Sequence, residues 1–178
     1  IAQSSFNKRE VNLELAKQSF IQCLEEDIED QSALYNVVYC FEFLDQNQEA
    51  ITYLIKYIDR NPYSEIAWHQ LGRLHYSVKE YENAIRAFDY ATLIDEEFLG
   101  AFMEKAKALE RLKKYEEAIV SYTRTIDLDD ATSYALLRIG KCHEKLGNKA
   151  LALKFFNQTV HEDPLLDKGW IAITDFYM

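Results

Sequence analysis

Apolar side chains recur along this chain with two periods at once. Over residues 65–78 the apolar or small positions are Trp68, Leu71, Gly72 and His75, spaced i, i+3, i+4 and i+7. Over residues 81–94 they are Tyr81, Ala84, Ile85, Phe88 and Ala91. Each set forms one stripe of an amphipathic helix. Only Val78-Lys79-Glu80 separates the two, so the pattern predicts two antiparallel helices joined by a tight turn. Small residues at Gly72 and Ala84 let the backbones approach, and Phe88 and Trp68 fill the space around the crossing. A single hairpin leaves its second face uncovered, which predicts that neighbouring hairpins stack on it.

The second period is longer. Ala16, Ala50, Ala84, Ala118 and Ala152 lie 34 residues apart. Four residues after each comes Phe20, Leu54, Phe88, Tyr122 or Phe156. A large apolar column reads Leu34, Trp68, Phe102, Leu136 and Trp170, preceded by the small column Ala33, Ala67, Ala101, Ala135 and Gly169. Both prolines, Pro62 and Pro164, fall at the same point of the repeat. Such self-similarity marks a repeat architecture. The best copy carries Trp68, Leu71-Gly72, Ala84 and Phe88, and on these residues the chain resembles the tetratricopeptide repeat (TPR) family. His75 stands where that family has an aromatic, with Tyr76 beside it. The resemblance implies an all-α fold, a right-handed α-solenoid of stacked antiparallel helix pairs. In this register the chain is one array. Complete repeats span 31–64, 65–98, 99–132 and 133–166. Residues 1–30 hold a partial repeat with its second helix at about 10–28, and residues 167–178 hold the first helix of another. Neither end shows a polar capping helix.

Composition narrows the function classes. Lys and Arg number 20 against 30 Asp and Glu, a formal net charge of −10. That opposes nucleic-acid binding, which draws on a surplus of cations. Only 5 Gly and 2 Pro are present, too few for a turn-rich β fold. No apolar run has the length of a membrane-spanning helix, so no membrane insertion is expected. Cys23, Cys40 and Cys142 form no C-x-x-C pair and suit packing in a reducing, cytoplasmic setting. A cleaved export signal stays open.

No catalytic signature appears, whether for phosphate binding or for nucleophilic hydrolysis. His143-Glu144 begins a zinc-protease motif, but Gly147 replaces its second histidine. His75 and His143 share a core-facing position of the repeat with Phe41, Leu109 and Tyr177 and read as packing residues. Cys40 and Cys142 do likewise. Acidic residues gather at the seams between repeats: Asp27, Glu29 and Asp30; Asp95, Glu96 and Glu97; Asp129 and Asp130; Asp163 and Asp167. They suit helix capping. Gly147 reads as a left-handed or tight turn between helices. The chain is therefore expected to be no enzyme, with no cofactor and no metal.

In the TPR family the first helix of each repeat lines the ligand-binding face, so the resemblance places a ligand there. Helix geometry then selects positions opposite the core stripe. These give Tyr35, Tyr39, His69, Arg73 and the neighbouring Tyr76. Further along they give Met103, Lys107, Tyr134, Leu137, the neighbouring Arg138, Lys141 and Lys168. Cations prevail in this row although the chain as a whole is acidic. Aromatic bodies with polar tips suit a face that is wet when free and dry when bound. The expected ligand is a protein or peptide segment of acidic character. The family's clamp for chaperone tails does not match, because Glu104 and Tyr or Met side chains stand where its cations and asparagines belong. Three readings remain: an independent interaction scaffold, a regulatory or targeting arm of a larger protein that is itself an enzyme or not, and a homo-oligomer formed through the repeat ends.

Overall fold

The computed structural model describes residues 2–128 and 132–178; Asp129 and Asp130 lie outside the described residues. Among the described residues ten helices follow one another: α1 Ala2–Glu26, α2 Gln31–Phe43, α3 Asn47–Arg60, α4 Glu65–Ser77, α5 Tyr81–Ile94, α6 Leu99–Arg111, α7 Tyr115–Leu128, α8 Ser133–Lys145, α9 Lys149–Glu162 and α10 Asp167–Tyr177. Helices α2, α4, α6, α8 and α10 begin 34 residues apart. The chain forms two compact units, residues 1–94 with α1 to α5 and residues 95–178 with α6 to α10. Helix α1 starts well before the expected position near residue 10. Residues 2–10 contain neither Gly nor Pro, and a nucleated helix propagates until something stops it.

What stops the first helix of each pair is the same device four times. Asp45, Lys79, Lys113 and Gly147 all take positive φ, between 57° and 77°. The next amide donates back five residues: Gln46 to Phe41, Glu80 to His75, Lys114 to Leu109 and Asn148 to His143, at 2.8–3.0 Å. The left-handed residue itself donates to the carbonyl three before it. This is the Schellman ending, which satisfies carbonyls that the helix terminus leaves free. Gly147 adopts the left-handed turn expected of it. The other three positions use side-chain-bearing residues, held there by the returning hydrogen bonds.

The seams are also built from local hydrogen bonds. Asp30, Ser64 and Thr132 cap α2, α4 and α8 by accepting from the amides of Ala33, Ala67 and Ala135. Asp27, Asp95 and Asp163 accept from the amide two residues on, at 2.9–3.0 Å. These acids therefore shape turns. The two prolines are tied to the two tryptophans: Trp68 Nε1 donates to the Pro62 carbonyl and Trp170 Nε1 to that of Pro164, each at 2.9 Å.

Within a pair, contact is close because the first helix is small where the second is large. A Cβ at Gly72 would stand 2.5 Å from the Phe88 ring, and one at Gly140 would stand 2.5 Å from that of Phe156. Both rings are fully buried, as are Ala84, Ala118 and Ala152 on the second helices. The core of the first unit runs from Leu24 through Leu34, Val37, Leu54 and Leu74 to Ala87. In the second, Leu137, Ala152, Phe156 and Ala172 cluster together.

The histidines in the packing position behave differently from one another. His75 Nδ1 lies 2.7 Å from a Glu80 carboxylate oxygen. His143 instead stacks on Phe155 with its Nδ1 buried and without a hydrogen-bond partner among the described residues. Burial holds the His143 pKa below its ordinary value of 6.5. The unfolded chain therefore takes up that proton first as pH falls, and stability is lost below about 6.5. A His143→Phe variant is expected to show a smaller drop in melting midpoint between about pH 7.5 and about pH 5.5 than the parent. An equal drop would show that His143 is not the group responsible.

Candidate functional site

In the first unit, α2 and α4 bound a depression of about 240 Å³ lined by Tyr35, Asn36, Val38, Tyr39, Glu42, Gln70 and Arg73. Tyr35 and Tyr39 are exposed on α2, together with Phe43 one turn further on. These three are spaced by four residues, so they form one stripe, and the Tyr39 and Phe43 rings lie 4.3 Å apart. On α4, Arg73 donates to Gln70 Oε1 at 2.9 Å and lies 3.7 Å from a Glu42 carboxylate oxygen. Gln70 is almost wholly buried, and its amide nitrogen has no hydrogen-bond partner among the described residues.

Three of the expected face residues, Tyr35, Tyr39 and Arg73, thus come together. Two others of this unit do not join them. His69 is buried, its ring 5.8 Å from that of Phe88. Tyr76 packs edge-on against Tyr81 at 5.3 Å. Asn36, Val38, Glu42 and Gln70 complete the lining and are absent from the expected set. Their signal was faint: Asn36 and Gln70 occupy one polar column of the repeat immediately beside the core stripe.

In the second unit the cationic row divides. Lys107 is half-buried, its Nζ 5.6 Å from the centroid of the exposed Tyr134 ring. Lys141 is half-buried and Lys168 exposed, and neither has an ion-pair partner among the described residues. Met103 is half-buried on α6. Leu137 is 2% exposed and packs with Phe156 and Ala172. It faces the core because α9 and α10 cover it, which corrects its placement on the open face.

Arg138 is also corrected. Its Nε donates to Glu110 Oε1 at 2.9 Å, and its Nη2 pairs with Oε2 of the same carboxylate. The Tyr122 hydroxyl donates to Glu110 Oε1 at 2.6 Å. One carboxylate on α6 thereby ties down α7 and α8. The guanidinium has its carboxylate already and is not offered to a ligand. Burial, with the Glu110 carboxylate as acceptor, pushes the Tyr122 phenol far up in pKa. Desolvation works to lower that of Arg138, but hydrogen bonding and charge attraction to Glu110, with a contribution from Tyr122, together exceed it and raise the pKa. Cys142 beside them is pushed up to about 12, chiefly by burial, and burial raises Cys40 as well. Both thiols stay protonated at neutral pH. Among the described residues no group of three or more His, Cys, Asp or Glu side chains is placed to hold a metal ion. Among the described residues no helix is long and apolar enough to cross a membrane.

Tetratricopeptide repeat models match residues 32–64, 66–98 and 103–166. The chain belongs to the tetratricopeptide repeat family. Its fold is the all-α solenoid of other TPR proteins. The crystal structure of MamA matches with a TM-score of 0.75 and 19% identity, over 90% of this chain and 87% of that one. That of YrrB, described as a TPR protein with an unusual peptide-binding site, matches with a TM-score of 0.75 and 19% identity, over 90% and 83%. Among curated relatives, anaphase-promoting complex subunit 3 of Schizosaccharomyces pombe is 27% identical over 145 residues, 80% of this chain and 22% of the relative. DnaJ homolog subfamily C member 7 of Homo sapiens is 28% identical over 92 residues, 52% of this chain and 19% of the relative. The TPR array here spans about a fifth of the length of those relatives.

Proposed function

We propose that this chain is a non-enzymatic protein-interaction scaffold that holds a segment of a protein partner against its first helices. The observation that carries this reading is the depression between α2 and α4. It is concave, it presents two exposed tyrosines, and it keeps a buried amide with no acceptor among the described residues. Exposed tyrosines beside buried polar groups suit a surface that dries on binding. Membership of the TPR family and the likeness to a peptide-binding TPR structure support it. The acidic character of the partner rests on the second unit by itself, where Lys107, Lys141 and Lys168 have no ion-pair partner among the described residues. Arg73 contributes little to it, because Glu42 already stands beside it. Whether the array works alone or as an arm of a larger protein leaves this chemistry unchanged.

The test uses two variants, Tyr35→Ala/Tyr39→Ala and Lys107→Glu/Lys141→Glu, matched to the parent by circular dichroism. A partner captured by the parent is expected to be lost from the first by about tenfold or more in affinity. The second is expected to lose it in proportion to the acidity of the bound segment and to flatten its salt dependence. A partner held equally by the parent and both variants would remove the first-helix face from consideration.

A further inference from the structure

Charge reverses its sign on the hairpin of α8 and α9. Between Ser133 and His161 the chain carries Arg138, Lys141, Lys145, Lys149 and Lys154 against one acid, Glu144, although its formal net charge is −10. Arg138 is taken by Glu110. Lys141 is half-buried, Lys145 and Lys149 are exposed, and none of the three has an ion-pair partner among the described residues.

Tyr134, Lys141 and Lys145 are spaced by seven and four residues, so they share one stripe of α8. The stripe is about 16 Å long. At its start Lys107 of α6 brings Nζ to 5.6 Å from the Tyr134 ring centroid. At its end the chain turns back, the Asn148 amide donating to the His143 carbonyl at 2.9 Å, and Lys149 opens α9 at the same end of the hairpin. Lys107, Lys141, Lys145 and Lys149 thus form a line that runs lengthwise along α8 and over its turn.

Folding does not call for these cations. The positions of Lys141, Lys145 and Lys149 are filled by Tyr39, Phe43 and Asn47 in the hairpin of α2 and α3. Helices α3, α5 and α7 carry Glu49, Glu82 and Glu116 in their first turn, where an acid meets the positive end of the helix dipole. Helix α9 carries Lys149 there and no acid, an arrangement the dipole disfavours. The charge of Lys149 is therefore open to an anion from outside the hairpin. The line is one side chain wide with Glu144 beside it, so it suits a thin anionic chain better than a broad anionic surface. An extended segment advances about 3.3 Å per residue, so about five residues cover the stripe and about eight reach from Lys107 to Lys149.

Given the reading that the second unit takes an acidic segment, we propose that a Glu- or Asp-rich run of about eight residues lies lengthwise along α8, from Lys107 over Lys141 and Lys145 to Lys149, and not across the first helices to Lys168. The experiment titrates the full chain with labelled glutamate-only and glycine-serine peptides of about eight residues, read by fluorescence anisotropy. The glutamate peptide is expected to bind more tightly than the glycine-serine one and to weaken as salt is raised. Lys145→Glu/Lys149→Glu is expected to weaken it by about tenfold or more, and Lys168→Glu by less than about twofold. Lys149→Glu alone is expected to weaken the peptide while keeping the melting midpoint at or above the parent's, because an acid then meets the positive end of α9. A lower midpoint would show that Lys149 serves the fold and would remove it from the line. Binding lost in Lys107→Glu/Lys141→Glu and in Lys168→Glu, but kept in Lys145→Glu/Lys149→Glu, would overturn the lengthwise path and keep the acidic-segment reading. Oligouridine of about eight nucleotides binding more tightly through the same lysines would overturn the peptide as occupant. No preference for glutamate over glycine-serine would overturn both the path and the acidic-segment reading.

Discussion

Phe156→Ala is expected to destabilise the second unit by about 3–5 kcal/mol. The ring is fully buried between α8 and α9, against Gly140, where even one added carbon would stand 2.5 Å away. Removing it opens a cavity that α8 cannot close, because α8 is held from its other side by Glu110 through Arg138. The converse change, Gly140→Leu, drives a side chain into that ring and is expected to cost about 1–3 kcal/mol or more. The two together are expected to cost clearly less than their sum, since the leucine refills part of the space the ring vacated. Urea unfolding is followed through Trp170 in a Trp68→Phe background, since Trp170 lies in this unit and Trp68 in the other. Strict additivity of the two changes would mean that residues 140 and 156 do not share the contact described.

Glu110→Ala ranks second. It leaves the Arg138 guanidinium and the Tyr122 hydroxyl without their common acceptor. Breaking a fully buried ion pair costs about 3–5 kcal/mol, and Arg138 is 29% exposed, so about 2–3 kcal/mol is expected here. Tyr122→Phe removes a single hydrogen bond to a charged acceptor and is expected to cost about 1.5–3 kcal/mol. Glu110→Leu with Arg138→Met and Tyr122→Phe, which removes both charges and the hydroxyl that would otherwise lack an acceptor, is expected to recover most of the loss. A denaturant midpoint for Glu110→Ala within error of the parent would show that the carboxylate is solvated and that the three helices are not tied through it.

The candidate site was partly legible. The 34-residue columns place Tyr35, Tyr39 and Arg73 on first helices and opposite the core stripe, because position on a helix face follows from spacing alone. Exposure does not follow from spacing. Leu137 occupies the same kind of position as Tyr35, yet α9 and α10 cover it. Arg138 reads as an available cation until Glu110, 28 residues earlier, is found beside it. Gln70 reads as an ordinary polar helix residue until Arg73 takes its oxygen and burial isolates its nitrogen.

By itself the sequence determined the helical fold, its period, the family and the left-handed turn at Gly147. These rest on local rules: amphipathic spacing, capping side chains and the small-against-large columns of a hairpin. The tertiary structure alone decided that Asp45, Lys79 and Lys113 take the same left-handed turn without being glycine, because returning backbone hydrogen bonds hold them there. It alone separated the paired cation Arg138 from Lys141 and Lys168, which have no ion-pair partner among the described residues, and the buried His69 from the exposed Tyr35. Those distinctions depend on groups brought together from different helices, and a charge or a ring changes its role when a partner distant in the chain satisfies or covers it.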